Sequence, residues 1–401
     1  MGAPLEGISI IDWTIWQQGP IATVMLADLG AEVIKLEERE RGDPGRGLIS
    51  GGTDGLPSDF YFEANNRHKK SLALNLKLAP AREIVHRLAA SADVFVQNFR
   101  QGVPARLGLD YESLSAINPR IIYASASGYG PLGPDSGKPS FDYMGQARSG
   151  IMNAVGGKEM PPTYVYGGVA DQMGGIMMAY GIMTALFVRE RTGIGQQVDI
   201  SHLGSMMALQ GLNVSSVLLT GREMPRRGRE SAYNPLWNHY KCSDDRWLCL
   251  GMLQPDRYWI DFCRALGLDE LAADTRYHQM VERGKNAREL IAILDKTFAT
   301  RPRHEWIEIL ERAGDFIFTI MNTIADLPED PQVIANDYVV DYDHPRRGKT
   351  RLPGLPVRFS RTPGESRAVA PELGEHTEEI LVDRLGYSWQ DIAKLREDGV
   401  I

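Results

Sequence analysis

The sequence predicts an α/β protein whose first domain contains a doubly wound parallel sheet. A strand-like run at residues 8–11, a helical pattern after Gly19-Pro20 and a second run at 33–36 fall within about thirty residues, the size of a βαβ unit. The same alternation recurs up to residue 124. The chain has 401 residues, enough for two or three domains of about 150 residues each.

The first helix is predicted from a common face of Ile21, Val24 and Leu29, with Pro20 at the first helical position and a stop at Gly30. The next elements are expected as a strand at 71–76, a helix at 79–90, a strand at 93–96, a helix at 111–117, a strand at 120–124, a helix at 171–191 and a strand at 197–200. The glycine-rich stretch 42–59 is interpreted as a long functional loop.

A second domain is expected after a basic, turn-rich linker at 222–229. Its elements should be a strand at 247–252 and helices at 257–266, 287–298 and 304–313. A terminal helix is predicted at 388–397. The hydrophobic pattern alone leaves open whether this last part of the chain returns to the first domain.

The composition excludes several classes of protein. Hydrophobic residues make up 43% and charged residues 24%, the balance of a soluble globular protein. A net charge of −8 argues against nucleic-acid binding driven by bulk charge. Cys242, Cys249 and Cys263 lack a zinc-binding spacing and fit a reduced, cytoplasmic setting. The longest apolar stretch, 172–188, is shorter than the roughly 20 residues that cross a bilayer, so no membrane partner is expected.

Two features suggest an anion site at the carboxyl ends of the strands. Gly19-Pro20 opens a helix whose free N–H groups suit a phosphate or carboxylate, with an ordinary turn as the equal alternative. Basic side chains also recur after successive strands, where ligands of open α/β sheets gather. They are Arg39, Arg41, Arg67, Lys69, Lys70, Lys77, Arg100 and Arg106. Each one taken alone is better explained as a solvated surface residue.

Asp171 directly precedes a long apolar helix, and Gly174 and Gly175 lie near the start of that helix. Its position is that of an N-cap, which is the default role of an aspartate at a helix start. A carboxylate so placed is also a possible nucleophile, and the glycines would let a bulky ligand approach the backbone. The residues alone do not choose between the two roles. His202, His239 and His376 are interpreted as structural histidines, and no metal site is predicted.

Motifs spread over nearly the whole chain resemble those of the class III coenzyme A transferases. They lie at 4–12, 19–20, 27–37, 42–44, 98–100, 129–133, 171–175, 192–196 and 373–377. The resemblance implies a large Rossmann-like domain built from both chain ends, a smaller α/β domain between them and an interlocked homodimer. The implied boundaries are 1–221 for the first part of the large CoA-binding domain, 222–335 for the small domain with its linkers and 336–401 for the return segment.

The resemblance also implies a reaction. Asp171 matches the family's catalytic aspartate, which would move CoA from an acyl-CoA donor to a small carboxylic acid through an aspartyl-CoA thioester. The CoA thioester is then a substrate, and no permanently bound cofactor is expected. The supporting active-site residues would be Gln17, Gln18, Asp142, Gly174 and Gly175. The CoA-binding residues would be Arg39, Arg41, Leu74, Asn75, Lys77, Asn98, Phe99, Arg100, Arg106 and Lys138.

One departure from the family pattern concerns the adenosine end of CoA. The family often has a basic residue directly after the position of Glu37, whereas this chain has Glu38. Arg39 or Arg41 must supply that charge if it is supplied at all.

Two other functions compete with transfer. An α-methylacyl-CoA racemase of the same superfamily would need an acid and a base on opposite faces of the substrate. The racemase branch has a His-Asp pair where this chain has Phe141-Asp142, and phenylalanine cannot transfer a proton. A catalytically silent CoA-binding protein is the second alternative, against which an intact Asp171 argues.

The acceptor acid is expected to be larger than oxalate. The oxalate-using branch has a glycine run in its active-site lid, whereas the corresponding residues 226–234 contain one glycine and bulkier side chains. Arg227 or Arg229 is a candidate to pair with a second carboxylate of the acceptor. A candidate aromatic wall is formed by Trp13, Trp16, Tyr233 and Trp237. The alternative is that these aromatic residues belong to the core and these arginines to the linker surface.

Overall fold

The computed structural model describes residues 2–47, 60–226 and 228–401, which form two compact units. The large unit comprises Met1–Met152, Tyr164–Arg222 and Gln332–Ile401, and the small unit comprises Asn153–Thr163 and Glu223–Pro331. The boundaries from the sequence assign 153–163 to the large domain instead. This segment belongs to the small unit, where the Arg226 guanidinium donates to the Met160 carbonyl oxygen at 3.2 Å.

The large unit is built on a six-stranded parallel sheet with the strand order β3-β2-β1-β4-β5-β6. Its strands are β1 Ser9–Trp13, β2 Glu32–Glu38, β3 Lys69–Leu74, β4 Val94–Gln97, β5 Ile122–Ser127 and β6 Gln197–Ser201. The order reverses between β1 and β4, where Ile11 lies opposite Phe95. The predicted doubly wound α/β class is therefore confirmed, and a reversal of this kind is where open sheets bind ligands.

Helices cover both faces of this sheet. Up to residue 222 they are α1 Gln18–Asp28, α2 Phe60–Asn66, α3 Ala79–Ala89, α4 Val103–Leu107, α5 Tyr111–Ile117, α6 Asp142–Ser149, α7 Ile151–Ala154, α8 Val169–Thr192, α9 His202–Leu209 and α10 Gly211–Thr220. Successive strand residues point to opposite faces. Ile11 accordingly belongs to one core cluster with Ile84 of α3, whereas Ile10 belongs to another with Ile182 of α8.

The small unit contains a three-stranded antiparallel sheet and short helices. Its elements are β7 Trp237–Lys241, β8 Trp247–Gly251, α11 Trp259–Ala265, α12 Asp269–Ala273, α13 Met280–Lys285, α14 Ala287–Phe298, α15 Arg303–Ala313 and β9 Phe318–Met321. Its own hydrophobic core joins Leu248 of β8 to Leu290 and Leu294 of α14.

The last part of the chain returns to the large unit. It contains α16 Pro331–Ala335, the antiparallel pair β10 Val339–His344 and β11 Gly348–Pro353, α17 Thr377–Glu379 and α18 Trp389–Glu397. Leu381 and Ile392 are fully buried in the same core cluster as Ile11 and Ile84. The return segment therefore completes a core that begins at the first strand.

Two helix starts differ from the sequence prediction. Helix α8 begins at Val169 rather than at Asp171, because Gly168 adopts the left-handed conformation at φ 75° and ψ 49° and acts as the N-cap. Helix α1 begins at Gln18, which makes Pro20 its third residue rather than its first.

Within the part of the chain that the structure describes, no single helix has the length and hydrophobicity needed to cross a membrane. Helices α9 and α10 meet that requirement only as a pair, and this pair is bent by 81°.

Candidate active site

A cavity of about 600 Å³ lies in the large unit at the carboxyl ends of β1, β4, β5 and β6. Its walls come from the segments that follow those strands. Trp16 and Gln18 follow β1, Asn98 to Arg100 follow β4, and Asp171 and His202 lie on α8 and α9. The cavity thus occupies the position that the reversal of strand order predicts for a ligand.

Asp171 presents its carboxylate to this cavity. It is the third residue of α8 and its side chain is 15% exposed. The Nε2 atom of His202 lies 2.7 Å from Oδ1 of Asp171. Among the residues that the structure describes, none hydrogen-bonds to Oδ2. One oxygen of the carboxylate is held, and the other is available to a substrate.

Gly168, the N-cap residue of α8, has no side chain, and Asp142 rather than Asp171 supplies the carboxylate that caps the helix, which corrects the N-cap interpretation. Oδ1 of Asp142 accepts hydrogen bonds from the backbone N–H of Ala170 at 2.6 Å and of Asp171 at 3.2 Å. Its Oδ2 accepts from Nε2 of Gln146 at 2.7 Å. The amide of Gln146 is fixed in turn by the backbone N–H and carbonyl of Val165. Asp142 therefore holds the turn that carries Asp171.

Gly174 and Gly175 serve the packing of α8 against α1. A Cβ atom on Gly174 would lie 2.6 Å from Nε2 of Gln18, and one on Gly175 would lie 2.5 Å from Cγ2 of Ile21. Both glycines are buried. The expectation that they admit a bulky ligand is therefore wrong, because the space beside them is filled by α1.

The two predicted glutamines lie in different places. Gln18 is buried, lines the cavity and donates to the carbonyl oxygen of Ser127 at 3.5 Å. Gln17 is not part of the cavity wall. Its amide lies against Gly168 and donates to the carbonyl oxygen of Gly167 at 3.3 Å, next to the start of α8.

Four of the predicted CoA-binding residues line the cavity: Asn98, Phe99, Arg100 and Lys138. Asn98 accepts from the backbone N–H of Ile15 at 2.9 Å and donates to its carbonyl oxygen at 2.7 Å, so its amide orients the β1–α1 loop. Phe99 stacks on Trp13 with ring centroids 4.2 Å apart. Arg100 is exposed, and Lys138 pairs with Asp135 at 2.5 Å.

The other predicted CoA contacts lie outside the cavity wall: Arg39, Arg41, Leu74, Asn75, Lys77 and Arg106. The side chain of Leu74 is 1% exposed and belongs to the core, so a contact of this residue with CoA would have to come from its backbone. Strand β3 is at the edge of the sheet, two strands of about 4.8 Å spacing away from β1, and its carboxyl end is correspondingly displaced from Asp171. A role for the remaining five at the adenosine end stays a prediction.

Three members of the predicted basic cluster are structural. Lys69 is buried, and its Nζ lies 2.8 Å from Oδ2 of Asp12. Arg67 pairs with Asp28, and Lys70 pairs with Glu32 and Glu379. These contacts within the large unit leave none of the three free for a phosphate.

A buried charge network holds the loop that carries Trp16. Trp16 has a positive φ of 66°, which is strained for a bulky residue. Its backbone N–H donates to Oδ1 of Asp43 at 3.1 Å. Oδ2 of Asp43 lies 2.8 Å from Nζ of Lys35. Burial lowers the pKa of the neighbouring Lys69 to about 8. For Asp12 the effect of burial is outweighed by Lys69 and Lys35, and its pKa falls to about 2.

Two residues near Asp171 were missed. His202 was interpreted as structural, although it follows a predicted strand of the sheet and therefore lies at a carboxyl end, where ligands gather. Tyr61 had no sequence signal. Burial raises the pKa of its phenol, and the carboxylates of Asp171, Asp43 and Asp142 raise it further, so the phenol stays protonated.

The residues that were predicted to surround the acceptor acid do not all lie at the cavity. Trp13 is 5% exposed and belongs to the core, whereas Trp16 lines the cavity with its ring 6.0 Å from that of Phe141. Tyr233 and Trp237 are exposed on the small unit. Arg229 is not free to bind an acceptor, because its guanidinium pairs with Asp295 and donates to the carbonyl oxygen of His239. Arg227 and residues 48–59 of the predicted functional loop lie outside the described residues.

Comparison with known proteins decides the family. Residues 5–377 match CoA-transferase family III. The chain belongs to this family. The resemblance found in the sequence is thereby confirmed, and the protein is a family III CoA-transferase.

The sequences and structures of known relatives align with nearly the full length of this CoA-transferase. Succinyl-CoA:glutarate CoA-transferase of Mus musculus is 35% identical over 399 residues, which cover 99% of this chain and 90% of the relative. Acetyl-CoA:oxalate CoA-transferase of Acetobacter aceti is 36% identical over 378 residues, which cover 93% of each. The crystal structure of a CAIB/BAIF family protein from Brucella suis superposes with a TM-score of 0.86 at 31% identity, over 96% of this chain and 100% of that one.

Proposed function

We propose that this CoA-transferase moves CoA from an acyl-CoA donor to a free carboxylic acid through an aspartyl-CoA thioester on Asp171. The observation that carries the proposal is the carboxylate of Asp171, which faces the cavity with Oδ1 held by His202 and Oδ2 unoccupied among the described residues. A nucleophilic carboxylate splits a difficult acyl exchange into easier steps.

The proposed transfer passes through two anhydrides and one thioester on Asp171. Oδ2 of Asp171 attacks the carbonyl carbon of the acyl-CoA, the C–S bond breaks, and the CoA thiolate and a mixed anhydride result. The thiolate then attacks Cγ of Asp171, and the donor acid leaves with Oδ2, which gives the aspartyl-CoA thioester. The acceptor carboxylate attacks Cγ and releases the thiolate. Attack of the thiolate on the acceptor carbonyl of this second anhydride yields the new acyl-CoA and restores Asp171.

CoA enters this scheme as a substrate. Arg100 and Lys138 at the cavity are suited to bind its phosphates, because charged donors form the stronger hydrogen bonds to phosphate oxygens. Arg39, Arg41, Asn75, Lys77 and Arg106 are further candidates for its adenosine end. A reducing compartment such as the cytoplasm fits the three free cysteines.

We further propose that the enzyme works as a homodimer. Helix α8 exposes Tyr180 and Phe187, which are 64% and 59% exposed, and α10 exposes Leu212, Leu218 and Leu219 at 75%, 78% and 84%. Extended apolar surfaces of this kind mark protein interaction sites.

The acceptor is proposed to be an acid larger than oxalate. The rings of Trp16 and Phe141 at the cavity give it an apolar side that oxalate would not use, and the mouse relative is named for glutarate. A panel of carboxylic acids assayed with succinyl-CoA, acetyl-CoA and formyl-CoA tests this. A preference for formyl-CoA with oxalate over every larger acid would contradict it.

The central experiment traps the intermediate. The enzyme is incubated with acyl-CoA and hydroxylamine, and the peptide that contains Asp171 is examined by mass spectrometry. A hydroxamate on Asp171 is expected, and Asp171→Asn should give neither hydroxamate nor turnover. Full turnover in a folded Asp171→Asn variant would overturn the proposal. A catalytically silent CoA-binding protein would give no hydroxamate in either case.

A further inference from the structure

We propose that His202 is the hydrogen-bond donor that stabilises the oxyanion formed on Asp171 when CoA is transferred to and from it. This inference rests on the proposed function, because it assigns a role to a neighbour of the nucleophile. It goes beyond a structural contact, since it concerns charge that develops only during the reaction.

His202 is built into the site rather than placed there by chance. It is the first residue of α9, whose N-cap Ser201 accepts from the N–H of Gly204 at 3.0 Å, and its side chain is 5% exposed. A Cβ atom on Gly145 of α6 would lie 2.7 Å from Cβ of His202. The absence of a side chain at residue 145 therefore makes room for the histidine beside Asp171.

The hydrogen-bond partners fix which nitrogen carries a proton. An ionised carboxylate accepts only, so Nε2 of His202 must donate to Oδ1 of Asp171 across their 2.7 Å separation. Nδ1 lies 3.4 Å from the hydroxyl oxygen of Ser140, which either donates to it or accepts from it. Whatever the charge of the ring, Nε2–H is directed at Asp171.

The proton on Nε2 of His202 can stabilise charge that develops on Oδ1 of Asp171 during the proposed reaction. When Oδ2 forms the anhydride, Oδ1 becomes the carbonyl oxygen of Asp171. Attack of the CoA thiolate on Cγ then moves an electron pair onto Oδ1, before the C–O bond to the donor acid breaks. The same oxygen receives charge when the acceptor carboxylate attacks the thioester. Nε2–H of His202 already points at the atom on which the charge develops.

The backbone donors of the helix turn are occupied. The backbone N–H groups of Ala170 and Asp171, which would otherwise be the nearest donors of the helix turn, are both bound to Oδ1 of Asp142. No other hydrogen bond to the Asp171 carboxylate is present within residues 2–47, 60–226 and 228–401. The oxyanion donor is therefore assigned to His202.

The test compares His202→Gln, His202→Asn and His202→Leu. The glutamine amide nitrogen can take the place of Nε2, whereas the asparagine amide is too short and leucine has no donor. In single-turnover experiments, removal of one oxyanion donor slows the step by about 10²–10³-fold. We expect this loss of the rate of aspartyl-CoA formation in the Asn and Leu variants, with rescue to within about tenfold of wild type in the Gln variant and an unchanged KM for acyl-CoA.

The outcomes separate this inference from the proposed function. Hydroxylamine trapping at wild-type rates in a folded Asn or Leu variant overturns the role of His202 and leaves Asp171 as the nucleophile. Equal losses in the Gln and Asn variants also overturn it, because they indicate a structural role. If Asp171→Asn keeps its turnover, the proposed function itself fails. The Gln and Asn variants are both polar, so the comparison does not depend on whether the Leu variant folds.

Discussion

Asp142 accepts hydrogen bonds from the backbone N–H of Asp171 and its neighbour, so one acid holds the helix turn that carries the other. The two carboxylates divide the tasks of capping and catalysis between them. Because Asp142 satisfies two of the free N–H groups in the first turn of α8, Asp171 can direct its side chain to the cavity.

We predict that Asp142→Ala lowers the free energy of unfolding by about 1–2 kcal/mol, the usual cost of losing a helix cap. Turnover should fall as well, because the turn that carries Asp171 loosens. Asp142→Asn keeps the oxygen that caps the helix but places an NH₂ group against the NH₂ group of Gln146. The loss of unfolding free energy should therefore be smaller than in Asp142→Ala. Denaturant unfolding and steady-state kinetics measure both. An Asp142→Ala variant as stable as wild type would contradict the capping role.

We predict that Arg100→Ala and Lys138→Ala each weaken CoA binding by about tenfold, since each removes a cation from the cavity wall. Lys394→Ala is the matched control. Its exposed side chain lies on α18 outside the cavity wall, and its loss should leave the affinity unchanged. Isothermal titration at two salt concentrations is the measurement, and added salt should weaken binding to the wild type. Unchanged affinity in both cavity variants would place the phosphates elsewhere.

We predict that Asp12→Asn costs about 3–5 kcal/mol at neutral pH, because it leaves the buried ammonium of Lys69 without its partner. The lowered pKa of Asp12 fixes the sign of the pH dependence. Its contribution is complete above the ordinary value of 3.8 and is lost as the pH falls towards about 2. The difference in unfolding free energy between wild type and variant should therefore be constant between that value and neutral pH, where Lys69 with its pKa of about 8 is still charged, and shrink below it. A difference that grows on acidification would refute this assignment.

We predict no exchange of the α-proton of a 2-methylacyl-CoA in deuterated water. Phe141, at the position of the racemase histidine, is 57% exposed at the cavity and has no proton to transfer. Mass spectrometry of the recovered thioester detects any deuterium. Uptake at a rate comparable to turnover would revive the racemase alternative.

The sequence predicts most of the large unit well because strands β1 to β5 are largely buried on both faces. Apolar runs such as 94–96 leave little choice of structure, and helices 111–117 and 287–298 agree with the prediction at both ends. The pair β10–β11 escaped prediction because its strands are largely exposed and carry charged residues such as Asp341 and Arg351.

The site was harder to predict than the fold. Asp171 could be found because it lies in the first turn of an apolar helix, but the carboxylate that caps this helix belongs to Asp142, which is 29 residues earlier in the chain. Local sequence carries no sign of such a contact. The same holds for Lys69, whose pairing with Asp12 spans 57 residues and turns an apparent surface cation into a buried one.

The return of the chain to its first sheet affects how the protein is made. Leu381 and Ile392 fill the core beside Ile11 and Ile84, so a ribosome releases those early strands long before their partners exist. At roughly 5–20 residues per second, synthesis of residues 223–401 takes on the order of 10–40 seconds. During that interval the sheet face that carries Ile11 is covered by α3 but lacks its contacts with Leu381 and Ile392. The small unit is complete before these two residues are made, because its last residue is Pro331.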